Sequence, residues 1–163
     1  MGAGGRSGAF CWRAAAPGAQ RGVCLKGDDL QFASRLHSAP IDGSAPAVPL
    51  TGSVRRPGRP AITPDSARAV FIARATGSFV DELFSVPING ASAAIKLSGT
   101  LVAGSDVKSF QVSAGSARVI FRADAGTVGV DELYLAPIDG SAAPTRLGTP
   151  PSGFAIEDFT LDS

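Results

Sequence analysis

Residues 66–90 read SARAVFIARATGSFVDELFSVPING and residues 116–140 read SARVIFRADAGTVGVDELYLAPIDG, one pattern returning after 50 residues. Aligned without gaps, 62–99 and 112–149 share 15 identities in 38 positions, enough to treat them as one structural unit used twice. Each unit is a set of short β-type runs punctuated by Gly, Asn and Asp. A period of about 40–50 residues built this way points to repeated units that bury their faces against one another, as propeller blades do. The repeat also bears on function. Residues that recur in every copy are explained as scaffold, because a catalytic group needs to occur only once.

The later copy predicts four antiparallel strands, a to d from the hub outward. Strand a is expected over 107–113, b over Arg118–Ala123, c over 132–138 and d over 145–147. Ala114-Gly115-Ser116 forms the first tight turn, and Asp139-Gly140 supplies the positive-φ residues of a second hairpin turn. Pro137 lacks an N–H and so belongs at a strand end. In the earlier copy strand a is degraded, because Arg59-Pro60 stand where Ser109-Phe110 stand.

A first copy emerges at an offset of 97, which sets Pro40-Ile41-Asp42-Gly43 on Pro137-Ile138-Asp139-Gly140. The same offset sets Arg21 on Arg118, Cys24 on Phe121 and Leu36 on Leu133. Strand a of that copy falls at 10–13 and strand b at 23–25. Val23 and Leu36 are expected to face the same inter-blade core as Ile120 and Leu133. Residues 154–161, FAIEDFTL, read as strand a of a further, truncated blade. The expected division is a tail at 1–9, a degenerate blade at 10–50, blades at 51–99 and 100–149, and a first strand at 150–163.

The sequence has 163 residues, 44% of them apolar, enough for a core. With 15 basic and 14 acidic side chains and a net charge of +1, it has no global field to draw in nucleic acid. No apolar run approaches the roughly 18 residues of a membrane-spanning helix. Residues 1–20 lack the continuous apolar stretch, about 7–15 residues long, of a signal peptide. The two cysteines have no His or Cys neighbours at zinc spacing. If Pro17-Gly18 centres a tight hairpin, Cys11 and Cys24 stand opposite each other within disulfide reach.

Thr63-Pro64-Asp65-Ser66, then A-x-V-F, a loop, D-E-L-[FY]-x-x-P-I-[DN]-G and a short strand ending K-L or R-L resemble the WD-repeat-like propeller repeat of TolB-type proteins. The resemblance implies an all-β fold: a partial β-propeller of about three four-stranded antiparallel blades plus one extra inner strand, a fragment of a larger protein. It implies a periplasmic or extracellular setting and a non-catalytic module binding a protein, peptide or glycan through loops at one rim. Its alternative is the N-terminal gating propeller of a prolyl-oligopeptidase-type serine peptidase whose catalytic domain is absent. Relatives of the repeat often carry a D-x-D-x-D-G-like loop between b and c. Here Asp124–Gly129 has one carboxylate and Arg74–Phe79 none, against the 6–8 or so oxygens that Ca²⁺ takes, so no metal or other cofactor is expected.

Asp81-Glu82 and Asp131-Glu132 are the evident carboxylate pairs, but adjacent residues of a strand point to opposite faces, and acid–base work needs two carboxyls converging on one substrate. They are expected to cap turns at a solvated strand end. His37, the sole histidine, falls in a slot held by Phe84 and Tyr134 in the other copies and reads as an aromatic-sized filler. No G-x-S-x-G elbow occurs, and no catalytic residue is assigned. Arg55, Arg56 and Arg59 are not repeated. They lie on the degraded connection into the second blade, where a positive patch can meet an acidic partner. With Val23, Leu36, Ile120 and Leu133 on the end faces and no polar cap, the isolated chain is expected to self-associate.

Overall fold

The computed structural model of the chain describes residues 20–28, 33–55, 57–75, 77–148 and 159, and these form an all-β structure of three four-stranded antiparallel sheets. The first sheet holds β1 (Arg21–Asp28), β2 (Ala33–Pro40), β3 (Val48–Pro49) and β4 (Val54–Arg55), with β3 and β4 both paired to β2. The second runs β5 (Ala61–Ile62), β6 (Arg68–Ala73), β7 (Glu82–Pro87) and β8 (Ile95–Lys96). The third runs β9 (Val107–Val112), β10 (Arg118–Ala123), β11 (Glu132–Pro137) and β12 (Thr145–Gly148).

The central hairpins share one register. Arg21 pairs with Pro40, Arg68 with Pro87 and Arg118 with Pro137, so the offsets of 97 and 50 both correspond to structural equivalence. Cys24 stands opposite His37 as Phe71 stands opposite Phe84 and Phe121 opposite Tyr134. The two aromatic pairs stack at 5.7 and 5.3 Å. The prolines sit at the last residue of each c strand, where the missing donor costs no ladder bond.

Turn chemistry differs from expectation in one respect. Gly140 has φ +70°, whereas Asp139 is not in the left-handed region. Asp139 contributes instead through its carboxylate, which accepts Ser141 N–H at 3.0 Å; Asp42 and Asn89 do the same for Ser44 and Ala91. Gly140 is also where backbone comes close to the preceding sheet: a Cβ there would lie 2.8 Å from Ile95 Cδ1.

Alternation along the strands decides which faces meet. In the second sheet Ala69, Phe71, Ala73 and Val86 pack on Val23, Leu36 and Leu50 of the first sheet, while Val70 and Leu83 pack with Val107, Val119 and Phe121 of the third. The second sheet is therefore buried on both faces. Burying a side chain the size of Phe71 or Phe121 contributes about 1.5–3 kcal/mol.

One expectation changes, and others lie outside the described residues. Strand a of the first copy, at 10–13, lies outside the described residues, as do Cys11 and residues 154–158. The third and fourth members of the first sheet are the two halves of a divided outer strand: β3 pairs with His37 and Ser38, and β4 with Ala33 and Ser34. That sheet thus includes Val54 and Arg55. Finally, Val23 and Leu36 do not share a core with Ile120 and Leu133. The equivalence of position holds, but in the first sheet that face turns toward the second sheet, and in the third sheet it turns away from it. The opposite face of the first sheet carries Cys24, Lys26, Arg35 and His37, so the polar cap missing from the sequence reading is present at that end.

The degraded strand a of the second copy keeps its place. Arg55 N–H and C=O both bond Arg74, Gly58 N–H bonds Ile72 C=O at 2.8 Å, and Ala61 pairs with Val70. This register sets buried Pro60 opposite Phe71, as Phe110 stands opposite Phe121. Proline fills the aromatic slot but breaks the ladder, which is why β5 is only two residues long.

Candidate functional site

The ends of strands b, the starts of strands c and the link into β9 come together at one rim of the sheets. In the second sheet Arg74 holds Asp81 through two bonds, Nε to Oδ1 at 2.7 Å and a terminal nitrogen to Oδ2 at 3.2 Å. This planar, paired geometry is the strong form of a charge-assisted contact. Asp81 N–H donates to Asp106 Oδ1 at 2.7 Å, and Asp81 C=O accepts Val107 N–H at 2.7 Å, which ties the second sheet to the first strand of the third.

Asp124 continues the chain of contacts. Its Oδ1 accepts Asp106 N–H at 2.7 Å and its Oδ2 accepts Gly129 N–H at 2.8 Å. Ser109 pairs with Arg122 but Val107 with Ala123, so Lys108 is the extra residue of a β-bulge, and its ammonium lies 3.5 Å from Asp124 Oδ1. Burial pushes the Asp124 carboxyl upward, but the two N–H donors and Lys108 outweigh it and hold it below the ordinary value. Arg74 and Asp124 are fifty residues apart in the repeat, so the two copies use opposite charges at one position.

The glutamates of the two D-E pairs are engaged rather than solvated. Glu82 accepts Lys96 at 2.9 Å. Glu132 is buried, and its carboxylate accepts Arg146 at 2.7 Å and the Tyr134 hydroxyl. Tyr134 holds Glu132 below its usual range, with burial opposing and Arg146 assisting. Burial, then the bond to Glu132, raises Tyr134 to about 12. Asp131 lies 3.7 Å from Arg122, so each carboxylate of the two pairs has a partner that helps order the start of strand c.

Above this ion network the rim is apolar. Phe79 is 80% exposed on the loop of the second sheet, Val128 56% and Val130 42% on the loop of the third, and Val102 42% on the link into β9. Val102 N–H bonds Ala125 C=O, and Gly104 lies against Val128, so the link and the loop form one surface. Arg55, exposed, is brought to the same rim by its backbone bridge to Arg74. Arg59 is exposed farther along the connection, and Arg56 lies outside the described residues.

The sequence reading picked out Arg55 but missed Phe79, Val128 and Val130. For two of them the available signal was an apolar side chain inside a loop whose repeat partner is not apolar: Phe79 corresponds to Gly129 and Val128 to Ser78, whereas Val130 corresponds to Val80.

His37 is half-buried, and burial together with Lys26 and Arg35 lowers its pKa, so the imidazole is held neutral among cations. Among the described residues no group of three or more His, Cys, Asp or Glu is placed to hold a metal ion. No helix among them is long and apolar enough to cross a membrane.

At the opposite rim, open clefts repeat between neighbouring sheets. One of about 570 Å³ is lined by Arg21, Asp65, Ser66 and Asn89, and its counterpart of about 400 Å³ by Arg68, Ser116, Arg118 and Asp139. Arg21 Nε is bonded to Ser38 Oγ and Arg68 Nε to Ser85 Oγ, both serines buried, so these guanidinium groups support the sheets. The chain matches no protein-family model and no curated protein.

Proposed function

We propose that the chain is a non-catalytic interaction module built as part of a β-propeller of the TolB type, and that it binds a protein or peptide segment on the rim carrying Arg55, Phe79, Val102, Val128 and Val130. The observation that supports this is the concentration of exposed large apolar side chains on the b–c loops and the adjoining link, over charges already neutralised in pairs. Exposed apolar groups of this size contribute to stability only when covered, so a surface that gathers them is suited to a partner. Arg55 beside them favours a partner segment that mixes apolar and acidic residues.

Peptide-display selection on the full chain tests the reading. Enriched peptides should carry an aromatic or aliphatic residue near an acidic one, and Phe79→Ser combined with Val128→Ser should weaken them about tenfold or more, equivalent to at least about 1.4 kcal/mol. Unfolding transitions should stay in place, because neither side chain is in the core. Absence of any enriched sequence pattern, or affinities indifferent to the double substitution, would overturn the proposal.

A further inference from the structure

The two clefts at the rim opposite the apolar surface are repeats of each other, and they differ in charge where the c–d turns border them. That turn supplies Asn89 to the cleft between the first and second sheets and Asp139, fifty residues on, to the cleft between the second and third. Each side chain makes the same turn bond, Oδ1 accepting the N–H two residues ahead, at 2.9 Å from Ala91 and 3.0 Å from Ser141. An arginine of strand b repeats as well, Arg21 in one cleft and Arg68 in the other. The bond from Ser141 chiefly, and the Arg68 charge to a smaller extent, hold the Asp139 carboxyl below its ordinary value, so Arg68 already has an anion in its field. Arg21 shares its cleft with a neutral carboxamide instead.

Three groups of the first cleft keep donors that meet no acceptor among the described residues. Arg21 is anchored by Nε to Ser38 Oγ at 2.8 Å and by one terminal nitrogen to Ser38 C=O at 3.4 Å, which leaves the other terminal nitrogen unbonded. Asn89, with Oδ1 turned to Ala91, keeps both hydrogens of its amide. Ser66 sits at φ 58°, a conformation that favours glycine, as Ser116 does at 59°. The Ser116 hydroxyl accepts Asp65 N–H across the sheets, whereas the Ser66 hydroxyl has no such partner among the described residues. A held guanidinium, an amide and a hydroxyl together match a carboxylate, whose two oxygens offer about four lone-pair sites. Asp65 is the acidic residue of this cleft, and its Oδ1 is engaged by Thr63 and Ala67 within its own turn. One cation with neutral donors suits a singly charged carboxylate better than a doubly charged phosphate. The volume, about 570 Å³, lies within the roughly 300–1,000 Å³ of small-ligand sites.

We propose that the cleft between the first and second sheets binds a carboxylate group, held by the terminal nitrogens of Arg21 with the Asn89 amide and the Ser66 hydroxyl as further donors. The cleft between the second and third sheets does not, because Asp139 occupies the place of Asn89. The site lies at the rim opposite the apolar surface, so either can fail without the other.

Two-dimensional NMR of the full chain titrated with sodium acetate, against sodium chloride at equal ionic strength, tests this. The Arg21 Nε–H and the backbone amides of Ser66 and Asn89 should shift together and saturate with acetate alone. Asn89→Asp should weaken acetate binding at least about tenfold by placing a like charge beside it. Asp139→Asn should create a second set of saturable shifts at Ser116 and Ser141. Both variants keep the turn acceptor, and Asp42 and Asp139 already serve as carboxylates in that turn, so the fold is preserved. An N-acetylated peptide with a free C-terminus distinguishes the source of the carboxylate: tighter binding than acetate, lost on amidation, assigns the site to chain ends, and equal or weaker binding assigns it to small acids. The absence of a saturable shift in the wild type, or a shift that chloride reproduces or Asn89→Asp leaves intact, would overturn the proposal.

Discussion

Leu97 and Leu147 hold the same place in two copies of one repeat, but Leu97 is 3% exposed under the third sheet and Leu147 is 52% exposed. The difference follows from what stands beyond each sheet, because the local pattern around both residues is the same. Leu97→Ala should cost about 2–4 kcal/mol, the transfer term plus a cavity, whereas Leu147→Ala should stay within about 0.5 kcal/mol. Urea unfolding of the two variants makes the comparison. Equal losses would mean that Leu147 is as buried as Leu97.

Tyr134 is the only tyrosine, so phenolate absorbance reports on it alone. Its midpoint should lie near 12 instead of 10.0, with burial the larger cause and the bond to Glu132 the second. Because the folded value is raised, the stability it contributes is present below pH 10.0 and is lost as pH climbs from there to about 12. Glu132→Gln should move the midpoint down toward 10. A wild-type midpoint at 10 would show that Tyr134 is neither desolvated nor bonded to Glu132.

Asp124→Ala should destabilise the chain by about 1–3 kcal/mol near neutral pH, because Asp106 and Gly129 would each lose the acceptor for a backbone N–H. The carboxyl is held below 3.8 in the folded state, so its contribution is present above that value and fades as pH falls through the lower folded one. The gap between wild type and Asp124→Ala in urea should therefore narrow in acid. A gap independent of pH would remove ionisation from the account.

Ser66 and Ser116 occupy the left-handed region, with φ 58° and 59°, at the same point of the repeat. Glycine there relieves strain of about 1 kcal/mol, offset in part by the entropy it adds to the unfolded chain. Among the described residues only Ser116 also accepts a bond from another sheet, Asp65 N–H to Oγ at 2.9 Å. Ser66→Gly should be neutral to stabilising, and Ser116→Gly less favourable by about 0.5–1 kcal/mol. Melting curves that place the two variants in the reverse order would show that the Asp65 contact carries no weight.

Sequence by itself was sufficient for what repeats. Strand b at Arg118–Ala123 and its copy at Arg68–Ala73, the equivalence of Cys24–His37 with Phe71–Phe84, and the prolines at strand ends all follow from period and turn chemistry, which are local properties of the chain. Tertiary structure decided what faces what. Val23 and Ile120 have the same pattern around them, and only the neighbouring sheet makes one a core residue of the described sheets and the other a residue of the outer face. The charged chain from Arg74 through Asp81, Asp106 and Asp124 to Lys108 was likewise illegible, since its members are drawn from separate loops and a bulge whose meeting depends on how two sheets pack. Phe79 lay in plain view as a loop residue, but its exposure became evident only when the sheets around it left nothing to cover it.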